Sequence, residues 1–218
     1  MARHRTYGDP CGIARALDAV GERWALLVVR ELLLGPKRFT DLRAGLPNLS
    51  PDVLSQRLRE LEAAGIVARR KLAPPAASHV YELTERGREL EEVVLALGRF
   101  GSSAPPPPSP TEIGVDSTIL GLKTLFSPAA ADGLDATVEL RLGEQSFRAR
   151  VADGSFEVAR GAAERPDATL VTRPGTLAEL LWQGRRLGEA ERGRQVEVEG
   201  ERAVLERFLR AFPLPPAA

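Results

Sequence analysis

The segment GSSAPPPPSPTE, residues 101–112, cuts this chain in two. Consecutive prolines carry no amide hydrogen and hold φ near one value, so they neither continue a helix nor sit inside a sheet. The stretch reads as a semi-rigid spacer that rises about 3 Å per residue through its prolines. The expected organisation is a first domain over residues 1–103, a proline-rich linker over 104–113 and a second domain over 114–218. Each domain has roughly 100 residues, enough for a small core that a second subunit would enlarge. Apolar residues make up 43% of the chain and charged residues 28%, a folded rather than a disordered balance.

The formal net charge is 0, which taken alone argues against a nucleic-acid partner. The two halves differ, however. Residues 1–88 carry 15 Lys and Arg against 10 Asp and Glu, a net of +5, whereas the remaining 130 carry 15 against 20, a net of −5. A phosphate responds to the local field, so a basic first half is compatible with DNA. No apolar run reaches the roughly 18 residues of a membrane span, and MARHRTYGDPCG has no apolar core behind its basic residues. The expectation is a cytoplasmic chain with no membrane partner. One cysteine, Cys11, excludes an intramolecular disulfide.

The first domain has a helical period. Ile13, Leu17 and Val20 begin a helix that Gly21 ends. The run from Trp24 to Leu34 is apolar on nearly every side, as expected of a central helix, and Gly35-Pro36 stops it. Phe39, Leu42 and Leu46 mark a shorter helix from about Arg38. After the turn Pro47-Asn48-Leu49, Ser50 is a good N-cap and Pro51 suits the first helical position. Leu54, Leu58 and Leu61 form the inward stripe of this last helix. Asp52, Gln56, Arg59 and Glu60 face away from it, with Ser55 and Arg57 on the flanks. Gln pairs with adenine and Arg with guanine in the major groove, and Ser50 at a helix start suits phosphate. An ordinary solvated helix surface satisfies the same pattern. The following residues weigh against that plainer reading. A strand ends in Arg69, Arg70 and Lys71, a connection contains Pro74 and Pro75, and HVYEL returns as a second strand. Together they form a wing whose cations can reach phosphate or the minor groove. Thr84 then caps a helix expected over Glu85–Gly98, with Leu90, Val93, Val94, Leu97 and Phe100 on its apolar side. So much apolar surface in a small domain implies a homodimer, whose two-fold axis would match paired DNA half-sites.

CGIARALDAVGERWALLVVRELLLGPKRFTDLRAGLP, LSPDVLSQRLRELEAAGIVARR and VYELTERGREL together resemble the HxlR family of winged-helix regulators. The resemblance covers Cys11 to Phe100. It implies a dimer on double-stranded operator DNA, with the helix over Ser50 to Ala64 as the reading element. It also implies a packed position for Trp24 and an anchoring role for Phe39. Gly12 stands where the family usually has proline after the cysteine. Some relatives sense oxidants or electrophiles with a thiol near this place, which makes Cys11 a candidate redox residue. A lone cysteine that is simply a small buried hydrophobe is the competing reading.

Beyond the spacer, Val115 to Leu125 reads as a helix, after which the period becomes two. Residues 136–142, 145–151, Phe156 with Val158, and 168–171 read as strands of an antiparallel sheet. A helix follows Pro174, then a strand over 195–199 and a closing helix over 201–211. The whole chain is therefore α+β, a winged helix-turn-helix domain followed by an α+β domain with an antiparallel sheet. DATLVTRPGTLAELLWQG and VEVEGERAVLERFLRAF resemble the sterol-carrier-like (SCP2-like) fold. That resemblance implies an apolar cavity for a hydrophobic small-molecule effector, with Phe147, Phe156, Leu180, Leu181, Trp182 and Phe208 as candidate lining. The same residues satisfy a solid core equally well.

Nothing in the sequence points to an enzyme. The two histidines, His4 and His79, stand apart from each other and from Cys11. No HExxH, GxSxG or phosphate-binding glycine loop occurs, so no catalytic residue, metal or cofactor is expected. The function expected is sequence-specific transcriptional regulation, with repression preferred. The alternative is a winged helix used as a protein-docking module.

Overall fold

The computed structural model describes residues 6–73, 78–105 and 112–216. The chain divides into two compact units, Met1–Val94 and Leu95–Ala218, with the division inside a helix ahead of the proline run. Residues 106–111 of that run, and Pro74 and Pro75 of the wing connection, lie outside the described residues.

In the first unit, α1 (Gly12–Val20) ends at Gly21 and α2 (Ala25–Leu32) follows, then α3 (Phe39–Gly45) and α4 (Pro51–Ala63). Trp24 turns the chain between α1 and α2 with φ at 80°, an uncommon conformation for a bulky residue. Its half-buried ring packs against the core, and the Arg23 guanidinium lies 5.5 Å from the ring centroid. α2 is the central helix that its sequence implied. Val28, Val29 and Leu32 meet Leu42 of α3 and Leu54, Leu58 and Leu61 of α4 in one buried cluster, with Phe39 packed against it.

Strands β1 (Val67–Lys71) and β2 (His79–Leu83) pair antiparallel, Arg69 opposite Tyr81 and Lys71 opposite His79. A third segment joins them: Lys37 N donates to Tyr81 O and Tyr81 N donates to Lys37 O, at 3.0 and 2.8 Å. The sequence shows no strand there, because one residue pairs and one residue has no period.

Thr84 caps α5 (Glu85–Arg88), accepting from Gly87 N at 3.0 Å and donating to Gly65 O at 2.7 Å. Instead of the single helix expected from Glu85, a turn at Glu89 separates α5 from α6 (Leu90–Ser102). Gly87 is buried so close to the start of β1 that a Cβ there would stand 2.1 Å from Ile66 O. The obstacle is backbone, which cannot rotate away. Gly87→Ala should destabilise the protein by about 1–3 kcal/mol, read from urea melts of the full chain.

The second unit contains α7 (Val115–Leu125), β3 (Ala136–Leu142), β4 (Gln145–Ala152), β5 (Ser155–Arg160), β6 (Ala168–Thr172), α8 (Pro174–Trp182), α9 (Leu187–Arg192), β7 (Glu197–Gly200) and α10 (Arg202–Arg210). Asp153 and Gly154, both at positive φ, make the tight β4–β5 turn. Val138, Leu140, Phe147, Ala149, Val151 and Leu170 are buried, α10 packs on β3 and β6, and α7 packs on β5.

The sheet is mixed, and this corrects the antiparallel expectation. Its order is β5-β4-β3-β6-β7, and β6 runs parallel to β3, Leu140 beside Leu170. Residues 161–167 carry the chain from the edge strand β5 past β4 and β3. They cross the face that bears Glu139, whose Oε2 accepts from Ala163 N at 3.1 Å. This crossing explains why Glu139 is buried despite sitting on the polar side of β3, where it also holds Arg141 Nε at 2.7 Å. Alternation of side chains has the same period of two in either pairing, so the sequence pattern carried no information on strand direction.

Candidate nucleic-acid interface

The arrangement α3, tight turn, α4 sets the geometry. Arg38 N donates to Asp41 Oδ2 at 2.9 Å and fixes the start of α3, while buried Leu46 and Leu49 anchor the turn. Ser50 is extended before the helix, and its Oγ accepts from Val53 N at 3.4 Å, a long cap. Proline at the first helical position follows, as expected. Leu54, Leu58 and Leu61 bury one side of α4 and so orient the other. Asp52, Gln56 and Arg59 are exposed on that outer side, with Ser55 half-buried between them. Gln56 Nε2 donates to Glu60 Oε1 at 3.0 Å, a bond that pairing with a base would have to replace.

Arg57 does not belong to this face. It is buried, with Nη1 2.6 Å from Glu60 Oε2 and 3.4 Å from Glu22 Oε2, and it ties α4 to the α1–α2 connection. Its place is structural, because position 57 follows Leu54 by three residues and precedes Leu61 by four, on the inward stripe.

The basic run of the wing divides by the pleat. Arg69 and Lys71 alternate onto one side of β1 and Arg70 onto the other, all three exposed. Arg70 forms a bidentate pair with Glu82, Nε to Oε1 at 3.0 Å and Nη2 to Oε2 at 3.1 Å. This hydrogen-bonded pair raises the Arg70 pKa and lowers that of Glu82 below the ordinary carboxylate range. Because the carboxylate is favoured in the folded state, its contribution to stability is present above the unfolded carboxylate pKa. That contribution is lost as the pH falls through the lower folded value. Near neutral pH, Arg70 is therefore neutralised locally, while Arg69 and Lys71 have no ion pair among the described residues. Arg69→Ala should weaken DNA binding and reduce the slope of log affinity against log salt by about 1, whereas Arg70→Ala should change it little. Titrations of one duplex at several salt concentrations check both.

Sequence reasoning passed over Arg38 and Arg43. Arg38, just before α3, and Arg43, on it, are both exposed ahead of the turn, where phosphates beside a groove-bound α4 would lie. The signal was in the sequence as two cations five residues apart around the buried Leu42. Lys37, nearby, is instead 2.6 Å from the buried Glu31 carboxylate, which also holds Arg30 at 2.8 Å.

Two helices present apolar surface. α1 exposes Ile13 (73%) and Leu17 (42%), and α6 exposes Val93 (46%), Leu97 (49%) and Phe100 (80%). Leu90 and Val94, on the other side of α6, pack against the core of the first unit. Cys11 is exposed at the start of α1, its N donating to Asp9 Oδ1 at 2.9 Å.

In the second unit, Phe156 and Phe208 join Phe126 and Phe212 in a cluster of rings with centroids 5.0–6.3 Å apart. Phe147 is fully buried beneath the Arg160 guanidinium, 5.0 Å from its ring centroid. Trp182 Nε1 donates to Phe212 O at 3.2 Å, and Leu181 is half-buried. Of the six candidate lining residues, Leu180 alone borders the open pocket of ≈ 530 Å³ formed by α8, α9 and α10. Among the described residues, no group of three or more His, Cys, Asp and Glu could hold a metal ion, and no helix is long and apolar enough to cross a membrane.

A helix, a tight turn, a second helix with a polar outer face and a three-segment wing define a winged helix-turn-helix protein. The model of the HxlR-like helix-turn-helix family matches residues 19–107. The HTH-type transcriptional regulator YvaP of Bacillus subtilis is 38% identical over 88 residues, 40% of this chain and 82% of the relative. The HTH-type transcriptional regulator sll1512 of Synechocystis sp. is 40% identical over 96 residues, 44% of this chain and 70% of the relative. The chain belongs to the HxlR-like helix-turn-helix family. Among solved structures, reduced YodB from B. subtilis is 32% identical and covers 45% of this chain and 98% of its own, at a TM-score of 0.40.

Proposed function

We propose that this protein is a dimeric, sequence-specific transcriptional repressor that reads operator DNA with α4. The observation that carries the reading is the outer side of α4, where Asp52, Gln56 and Arg59 stand exposed opposite a fully buried leucine stripe. Gln56 and Arg59 contact base edges, Ser50 and Arg69 with Lys71 contact phosphates, and Ser55 and Asp52 shape the approach. α1 and α6 supply the subunit contact through their exposed apolar residues. Alanine at Gln56 or Arg59 should cost about 1–3 kcal/mol of discrimination between the operator and unrelated DNA. Competitive fluorescence-anisotropy titrations measure that ratio. Equal loss on both DNAs would assign these side chains to phosphate instead.

We also propose that the second unit, an SCP2-like domain in its order of strands and helices, acts as an effector domain. An effector can alter operator affinity only if it binds two dimer arrangements unequally, which operator titrations with and without ligand measure. For Cys11, a disulfide requires a second molecule, because the chain has one cysteine. A sensing role therefore predicts that complete alkylation of Cys11 weakens operator binding, and unchanged affinity of the alkylated protein removes that role.

A further inference from the structure

We propose that the pocket bounded by α8, α9 and α10 is a binding site for an organic anion, a carboxylate carried on a compact apolar body. The pocket, ≈ 530 Å³, is walled by Leu180, Leu187 and Leu209 and by Arg185, Arg186, Arg192 and Arg210. This volume falls within the range of small-molecule sites, which pair apolar walls with a few placed charges.

The disposition of charge points to an anion. Arg185 is already committed, paired with Glu179 and Gln195. Glu206, the second carboxylate of the pocket, is held by Arg202 Nε at 3.0 Å. Arg186, before α9, Arg192, at its end, and Arg210, at the end of α10, have no carboxylate partner among the described residues. At Gly188 a Cβ would lie 3.7 Å from Arg192 Nη1 and from Arg202 Nη2, but Arg202 already holds Glu191 at 2.7 Å and Glu206 at 3.0 Å, which leaves Arg192 as the cation there without a carboxylate. Arg186, Arg192 and Arg210 thus leave the pocket rim with positive charge that a bound anion would balance. Guanidinium forks match the planar two-oxygen geometry of a carboxylate, and the leucine walls receive the apolar body. Glu189, the other carboxylate of the pocket, has no ion-pair partner among the described residues and opposes a bound anion, an opposition that Glu189→Gln removes.

The binding stands independently of the DNA reading; only its consequence for operator affinity rests on that reading. The test uses the full chain without DNA and calorimetric titration with 2-naphthoate, 2-naphthylmethanol and acetate. The first carries charge and ring, the second the ring alone, the third the charge alone. Naphthoate should bind, the neutral alcohol and acetate at least tenfold more weakly. Arg186→Gln with Arg192→Gln and Arg210→Gln should weaken naphthoate at least tenfold, while Glu189→Gln strengthens it. Circular dichroism of each variant separates loss of site from loss of fold, and Arg210→Gln alone, at an exposed helix end, supplies a milder variant. Equal binding of alcohol and acid, no binding of naphthoate, or naphthoate binding indifferent to the triple variant overturns the proposal. So does a triple variant that keeps its naphthoate affinity but, in a separate titration with duplex DNA, binds DNA more weakly, because the arginines would then serve phosphates.

Discussion

Leu97→Glu combined with Phe100→Glu should turn a dimer into a monomer and lower operator affinity by about 100-fold. Phe100 is 80% exposed and Leu97 49%, so neither carries weight in the folded subunit. Their apolar surface gains stability only when a second chain covers it, at about 25 cal/mol per Å². Two carboxylates on this helix face would then oppose their copies across a two-fold axis. Operator affinity falls because two linked reading helices bind far more tightly than one, commonly by 10²–10⁴. Sedimentation velocity reports the subunit change, and thermal melts should show the monomer still folded. A variant that stays dimeric would place the subunit contact on another surface.

The second large effect concerns stability. Glu31 is 2% exposed, and its carboxylate is shared between Arg30 and Lys37. Gly45 packs against the same group, so that a Cβ there would come 2.1 Å from Glu31 Oε2. Removing the buried carboxylate takes a shared counter-charge from both cations, at about 3–5 kcal/mol. Glu31→Ala should therefore destabilise the chain by that amount in urea melts. Lys37 also carries the backbone bridge to Tyr81 in the wing, so the same variant should loosen the wing, read as faster amide exchange at Tyr81. Loss below 1 kcal/mol would show that Lys37 and Arg30 find solvent when the carboxylate goes.

These outcomes bear on what the sequence disclosed. The leucine stripe of α4 and its Ser50-Pro51 start were legible because helical period and capping chemistry are local. Arg57 was misassigned because its type suggested DNA, whereas its position on the stripe placed it inside. Arg69, Arg70 and Lys71 were grouped as one basic run, although the period of a strand puts Arg70 on the opposite side from the other two. The bidentate pairing of Arg70 to Glu82 was not legible, because it depends on register across the wing. In the second unit every strand was placed near its observed bounds. The parallel pairing of β3 with β6 was hidden, since it is set by the crossing of residues 161–167 and not by alternation. The helix α9 was missed because six residues are too few to show a period. With it went the pocket, whose arginines are scattered over 185–210 and meet only in the fold.

Selection from a random duplex library at physiological salt decides whether α4 of a dimer reads DNA sequence. Enrichment of a two-fold symmetric site is expected, and it is lost in the Gln56→Ala, Arg59→Ala double variant. Recovery of no preferred sequence by folded, dimeric protein would contradict such reading and leave the winged helix as a surface for docking another protein.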